Sequence, residues 1–176
     1  MKIIAFAGSN NTKSINKKLA TYAAGLFDNG EPEILDLNDF QMPLFGVDLE
    51  AEVGHLPKAE NFLAKIGEAD ILIVSMAENN GNCSVAFKNV FDWASRINVK
   101  VFQDKPMLLM ATSTGARGGA SVLEIAQTMF PRYGGNIKAT FSLPNFNSNF
   151  DVESGKITNV DFNEALKIQI NLFNDL

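Results

Sequence analysis

The chain has 176 residues, 46% hydrophobic and 20% charged, which is the length and composition of one folded domain with a sizeable core rather than a disordered segment. Its net charge is −5 and no basic block or stripe occurs, which argues against a nucleic-acid surface. Cys83 and His55 are the only residues of their kinds, which excludes an intrachain disulfide and paired-cysteine zinc sites; no metal site is expected. The N-terminus enters a strand directly, with no leader pattern, and no apolar run is long enough to span a bilayer. A cytoplasmic protein with no membrane partner is the expectation. Phe supplies nearly all the aromatic content, so some Phe side chains are expected to line a site rather than the core.

Residues 2–7 read as a buried strand. A small polar loop follows, and Ser14 opens a helical pattern over 14–28. Ile15, Leu19, Tyr22, Ala23, Leu26 and Phe27 share its apolar face, and Asn29-Gly30 ends it. Residues 33–37 form a second strand. Residues 38–56 read as irregular, a length that marks a functional or mobile loop, and hold the apolar patch Met42-Pro43-Leu44-Phe45. Pro57 begins a helix to about Glu68. Residues 70–75 are a continuous apolar strand of the kind found in parallel sheets covered on both faces. A polar loop over 77–83 contains Asn80-Gly81, and Ser84 opens a helix to about Ile97. Residues 107–112 make a fourth strand, 113–119 a glycine-rich loop, 120–130 a helix and 136–141 a fifth strand. An Asn-rich loop spans 144–156. Asp161-x-x-Glu164 resembles a capping box for a last helix whose apolar side holds Ala165, Leu166, Ile168, Leu172 and Phe173.

Strands alternating with helices mean an open parallel α/β sheet with right-handed crossovers in one domain, residues 1–176. The expected form is the flavodoxin-like three-layer sandwich with helices on both faces and strand order 2-1-3-4-5. In that order the loops 8–13, 76–83 and 113–119 follow strands 1, 3 and 4 and converge on one crevice at the carboxyl edge. The first of them is a strand, a tight loop and a helix N-terminus, a natural site for an anion. Ser9, Asn11, Thr12, Lys13, Ser14 and Asn16 crowd it with donors. Both the dinucleotide motif G-x-G-x-x-G and the Walker motif are absent, so a monophosphate fits better than a clamped pyrophosphate. FMN is the common monophosphate ligand of this fold, with Gly118 and Gly119 allowing its ring a close approach.

Gly8-Ser9-x-x-x-x-Ser14-x-Asn16-x-x-Leu19-Ala20 resembles the signature of the NAD(P)H-dependent FMN reductases, the flavodoxin-like group of quinone, azo-dye and chromate reductases. Met42-Pro43-Leu44-Phe45 with Asp48, the stretch from Ala77-Glu78-Asn79-Asn80 to Phe87-Lys88-Asn89-Val90-Phe91-Asp92-Trp93, and residues 112–119 resemble three further family segments in the right order. The resemblance implies an FMN-dependent oxidoreductase that passes hydride from NADPH or NADH to a small acceptor such as a quinone or free flavin. It places Ser9, Asn11, Lys13, Ser14, Ile15 and Asn16 around the FMN phosphate. Glu78, Asn79, Asn80 and Gly81 would meet the ribityl chain and ring, and Ser113, Thr114, Gly115 and Gly118 the pyrimidine end. Arg117 is the candidate to meet the 2′-phosphate of NADPH or an anionic acceptor. The family is usually dimeric or tetrameric, with the helix carrying Lys88, Asn89 and Asp92 at an interface. The chain departs from the family where Asn11 replaces an Arg, a charged contact worth roughly 1.5–3 kcal/mol that Lys13 partly replaces as a point charge. It also departs at Ala77 and Asn79, which stand for Pro and Tyr, and at Ser84-Val85, which stands for Pro-Gly.

The flavin carries the chemistry in such enzymes, so no catalytic side chain is assigned. The rival readings are a flavodoxin-type electron carrier, a response-regulator-like switch and a divergent member with weak or lost flavin binding. Carriers use a Thr-rich phosphate loop and are more acidic, and a switch needs an acidic cluster where this chain has Ala7-Gly8-Ser9. Plainer roles stand beside the sharp ones. Ser9, Ser14 and Asn16 have ordinary turn and cap chemistry open to them. Cys83 reads as a small, partly buried thiol and His55 as a surface residue; Trp93 and the Phe residues of its helix read as core or interface, and the Met107/Met110 pair as core. Phe45 would cover the flavin or pack on a neighbouring subunit.

Overall fold

The computed structural model describes residues 1–28 and 30–173. In chain order its elements are β1 (Lys2–Ala7), α1 (Ile15–Ala24), β2 (Glu31–Leu35), α2 (Val47–Val53), α3 (Pro57–Glu68), β3 (Ile71–Met76), β4 (Glu78–Asn79), β5 (Asn82–Cys83), α4 (Val85–Ile97), β6 (Pro106–Thr112), α5 (Ala120–Met129), β7 (Asn136–Leu143), α6 (Phe146–Asn149), β8 (Phe150–Asp151), β9 (Lys156–Ile157) and α7 (Val160–Asn171).

Five strands form one parallel sheet in the order β2-β1-β3-β6-β7, the expected 2-1-3-4-5. The three apolar runs are its centre: every residue of β3 is buried, and β1 and β6 expose only their first. Successive side chains point to opposite faces. Ile4, Phe6, Leu72, Val74, Met107 and Leu109 therefore pack under α3, α4 and α5, while Ile3, Ala5, Ile71, Ile73, Leu108 and Met110 pack under α1 and α7. Each of these side chains except the small Ala5 contributes about 1.5–3 kcal/mol on burial. The edge strand β7 alternates half-buried and buried residues along its second half, as a strand with one better-covered face does.

Phe residues are mostly core rather than site. Phe87, Phe91, Phe102 and Phe130 form a buried aromatic layer, with the rings of Phe102 and Phe130 4.4 Å apart. Phe45 stands edge-on to Trp93 at 5.2 Å, within its own chain.

Several elements differ from the sequence reading. Helix α1 stops at Ala24, since Gly25 is a poor helix former; Phe27 is still buried beyond it, edge-on to Phe173. Asn29 lies outside the described residues. Strand β2 begins two residues earlier than expected, and Asp36 then caps a 3-10 helix over Leu37–Phe40. The stretch read as irregular is largely ordered into that turn and α2. Helix α2 has no buried residue, so no apolar periodicity marked it. The loop after β3 holds the β4–β5 hairpin. Its turn is Asn80-Gly81, both with positive φ, as a two-residue hairpin of this twist requires. The Asn-rich stretch holds α6 and the β8–β9 hairpin, pinned by the stacked rings of Phe146 and Phe150. Helix α7 is capped by Asn159, whose side chain accepts from Asp161 N and Phe162 N, so the Asp161 capping box does not form. Its buried side is Leu166 and Ile170; Ile168 and Leu172 are 61% and 58% exposed.

Candidate functional site

The parallel order brings the loops after β1, β3 and β6 out at one edge, and a buried polar network joins their bases. Gly8 N donates to Ser75 O at 2.9 Å, and Ser84 Oγ donates to Gly8 O at 2.8 Å. Asn16 is 3% exposed. Its Oδ1 accepts from Ser75 Oγ at 2.8 Å and Thr112 N at 3.0 Å, and its Nδ2 donates to Thr112 O at 3.1 Å. One amide from the first turn of α1 thus ties β3 to β6. The Asn16 side chain, expected at the phosphate, is buried and bonded inside the fold through both Oδ1 and Nδ2.

Residues 9–13 are exposed or half-buried around the α1 N-terminus. Ser9 Oγ accepts from Asn11 N at 3.2 Å, Asn11 Oδ1 accepts from Lys13 N at 2.9 Å, and Ser14 Oγ caps the helix by accepting from Lys17 N at 3.2 Å. These bonds use acceptor atoms. They leave the Ser9 and Ser14 hydroxyl protons, the Asn11 amide protons, the Lys13 ammonium and the first helical N–H groups as donors. Residues 8–16 contain no carboxylate. Asp36 is paired with α1: Lys17 Nζ donates to it at 2.6 Å, a contact that holds the Asp36 carboxyl below its usual range. Asn38 Nδ2 donates to both Asp36 and Asn10 O, anchoring the loop from outside. The donor chemistry fits a phosphate monoester.

The other two loops differ in detail from the expectation. Glu78 Oε2 accepts from Val122 N at 3.1 Å, so its carboxylate caps α5, a helix whose own N-cap residue, Gly119, has no side chain to do so. Asn79, Asn80 and Gly81 are exposed on the hairpin tip. The space freed by Gly118 and Gly119 is filled by the protein. A Cβ on Gly118 would lie 2.3 Å from Ser142 Oγ, and one on Gly119 3.0 Å from Ala111 Cβ. The third loop is fastened from below, with Asn145 N donating to Gly115 O and Phe146 N to Ser113 O. Ser113 is half-buried, its hydroxyl 3.3 Å from Gly115 O; Thr114 and Gly115 are exposed, and Arg117 donates to Ser121 Oγ at 2.9 Å with its remaining donors free for solvent or ligand.

Sequence reasoning missed Ser75, Ser84 and Thr112 as organising residues. Ser84 carried a signal, since it stands just before an apolar helix as an N-cap should. Ser75 and Thr112 carried none beyond being polar residues at the ends of apolar strands.

Burial raises the Cys83 thiol above its ordinary range, so it is protonated at neutral pH. Among the described residues, no group of three or more His, Cys, Asp or Glu side chains could hold a metal ion, and no helix is long and apolar enough to cross a membrane.

Residues 1–148 match the family described as NADPH-dependent FMN reductase. An NADPH:quinone oxidoreductase of Arabidopsis thaliana is 33% identical over 131 residues, 72% of this chain and 65% of that protein. An NAD(P)H-dependent FMN reductase of Pseudomonas aeruginosa is 32% identical over 121 residues, 68% of this chain and 64% of that protein. The chain therefore spans just under two thirds of the length of these curated relatives. The flavoenzyme NAD(P)H:(acceptor) oxidoreductase of Paracoccus denitrificans superposes with a TM-score of 0.75 at 19% identity, over 99% of this chain and 97% of that one. That likeness shows the flavodoxin-like fold. With most of its length inside one family pattern and its fold shared end to end with a solved flavoenzyme, the chain belongs to the NADPH-dependent FMN reductase family.

Proposed function

We propose that the protein is an FMN-dependent NAD(P)H oxidoreductase that reduces a small acceptor such as a quinone or free flavin. The observation that carries this reading is the carboxylate-free, donor-rich loop at the α1 N-terminus, held against β3 and β6 by the buried Asn16 amide. Bound FMN supplies a ring that takes hydride from a nicotinamide and returns the electrons to an acceptor. The chain's part is to bind and orient. Ser9, Asn11, Lys13 and Ser14 would hold the phosphate with the backbone N–H groups of Ile15 and Asn16. Asn79, Asn80 and Gly81 on one side, with Ser113, Thr114, Gly115 and Gly118 on the other, would border the ribityl chain and ring; Glu78 steadies that wall by capping α5 from β4. Arg117 would meet a phosphate of the nicotinamide cofactor or an anionic acceptor. No side-chain acid, base or nucleophile enters the reading.

We further infer a single domain over residues 1–176, a cytoplasmic protein and a homodimer or homotetramer. Cytoplasmic placement is supported by cysteine usage, since the single free Cys83 leaves no intrachain disulfide to form. Oligomerisation is supported by an exposed apolar surface where the 42–47 stretch meets α4: Leu44 is 73% exposed and Val85 71%. The Asn89 side chain is engaged within its own chain. Its amide donates to Met42 O and Pro43 O and accepts from Phe45 N, which straps that stretch onto α4 within one chain.

The test is the visible spectrum of the purified protein before and after incubation with FMN and desalting. Retained flavin bands that bleach with NADPH or NADH under nitrogen are expected. A protein that stays colourless after FMN loading would overturn the reading of a resident flavin.

A further inference from the structure

One groove lies away from the expected flavin ring. It starts at the phosphate loop, at Thr12 and Ser14, and runs along α1 to the β8–β9 hairpin, with a volume of about 550 Å³. That is within the roughly 300–1,000 Å³ of small-ligand sites. Its charge is unusual for this molecule. Four lysines line it, Lys13, Lys17, Lys18 and Lys156, and no Asp or Glu does, in a chain of net charge −5. Lys17 is neutralised by Asp36, but Lys13, Lys18 and Lys156 have no carboxylate partner among the described residues. Between the lysines the walls are apolar: Tyr22, Leu26, Phe150 and Val152. Tyr22 is held in place, its hydroxyl donating to Asn163 and its ring edge-on to Phe150 at 6.0 Å.

A groove that is cationic near the phosphate loop and has an aromatic and aliphatic wall suits a small anion joined to a flat base. Its continuity with the loop narrows the class. A group joined by an anhydride link to a phosphate held at Lys13 and Ser14 would leave directly into it. We infer that the groove binds an adenosine phosphate, namely the AMP half of FAD, while the mononucleotide half of the same molecule occupies the phosphate loop. This rests on the proposed flavin site and widens it: the protein takes the dinucleotide as well as the mononucleotide. The second phosphate would sit among Lys13, Lys18 and Lys156, and the adenine on the Tyr22 and Val152 wall. The G-x-G-x-x-G turn is not needed, because lysine side chains rather than a glycine loop carry the second phosphate.

The test is flavin-fluorescence titration of the flavin-free protein with FMN and with FAD, alongside calorimetric titration with 5′-AMP and 2′,5′-ADP. Wild type is compared with the double variant Lys18→Glu/Lys156→Glu and with Val152→Asp, with circular dichroism and thermal melting confirming that both variants fold. Wild type is expected to bind FAD at least as tightly as FMN. The double variant should weaken FAD and 5′-AMP by about tenfold or more, the loss of charge-assisted contacts, and leave FMN unchanged. The FAD effect should shrink as salt is raised. FMN binding without FAD binding, or FAD affinity indifferent to both variants, overturns the inference and leaves the FMN reading standing. Lysine-dependent binding of 2′,5′-ADP with lysine-independent FAD overturns the flavin assignment and gives the groove to the nicotinamide cofactor. If neither flavin binds, the proposed function falls, and the inference that the groove takes the AMP half of FAD falls with it.

Discussion

Asn16 shows how a residue can be placed correctly and its task misread. The sequence puts it at the α1 N-terminus among phosphate donors, and the structure keeps it there. Its side chain, however, is turned to Thr112, 96 residues away, and to Ser75. Nothing local encodes those partners, so no periodicity or motif could reveal them. Asn16→Ala would leave the Ser75 hydroxyl and both backbone groups of Thr112 without partners. We expect a loss of about 2–4 kcal/mol in urea unfolding, together with weaker FMN retention. The glycines make a matched pair. Gly118 has φ +58° and its missing Cβ space is taken by Ser142 Oγ and Pro144 N, whereas Gly81 has φ +77° and open space around it. Gly118→Ala should therefore destabilise by about 1–3 kcal/mol and displace the third loop, and Gly81→Ala by only about 1 kcal/mol. Thermal melts of the two variants, with FMN titrations of each, check the contrast.

Elements with a buried face were legible. The central strands and α3, α4 and α5 were read to within one or two residues, because burial writes itself as apolar runs or helical spacing. Helix α2 buries nothing and was read as loop; α6 and the β8–β9 hairpin hide Phe146, Phe150 and Ile157 among Asn and Ser. Charge also joins elements. Glu33 on β2 takes Lys2 of β1 at 2.7 Å and Lys65 of α3 at 2.9 Å. Hydrogen bonding from Lys2 first, and from Lys65, holds its carboxyl below the ordinary range. A carboxyl depressed in the folded state stabilises above its unfolded value of about 4.3, and that contribution is lost as pH falls through the folded value. Melting temperatures taken across the acid range should fall more steeply for wild type than for Glu33→Gln. Equal slopes would remove Glu33 from the acid response.

At the scale of the molecule, the parallel α/β sheet followed from the alternation of elements, its strand order came with the flavodoxin-like form, and the convergence of the three loops followed from that order. The exposed apolar stretch around Leu44 was legible in the sequence; that Val85 at the start of α4 lines the same surface was not, because the two are distant in the chain. Leu44→Glu/Val85→Glu is expected to lower the mass measured by light scattering to that of a monomer, and an unchanged mass would move the proposed interface elsewhere. The Asn16 network has a consequence for calorimetry. Because a buried amide couples β3 and β6 and the loops at that edge hydrogen-bond to one another in the free protein, they require little ordering when a flavin arrives. Binding then lacks the large negative heat-capacity change of coupled folding, and its entropy reflects released water and a fixed ligand rather than a stiffened chain.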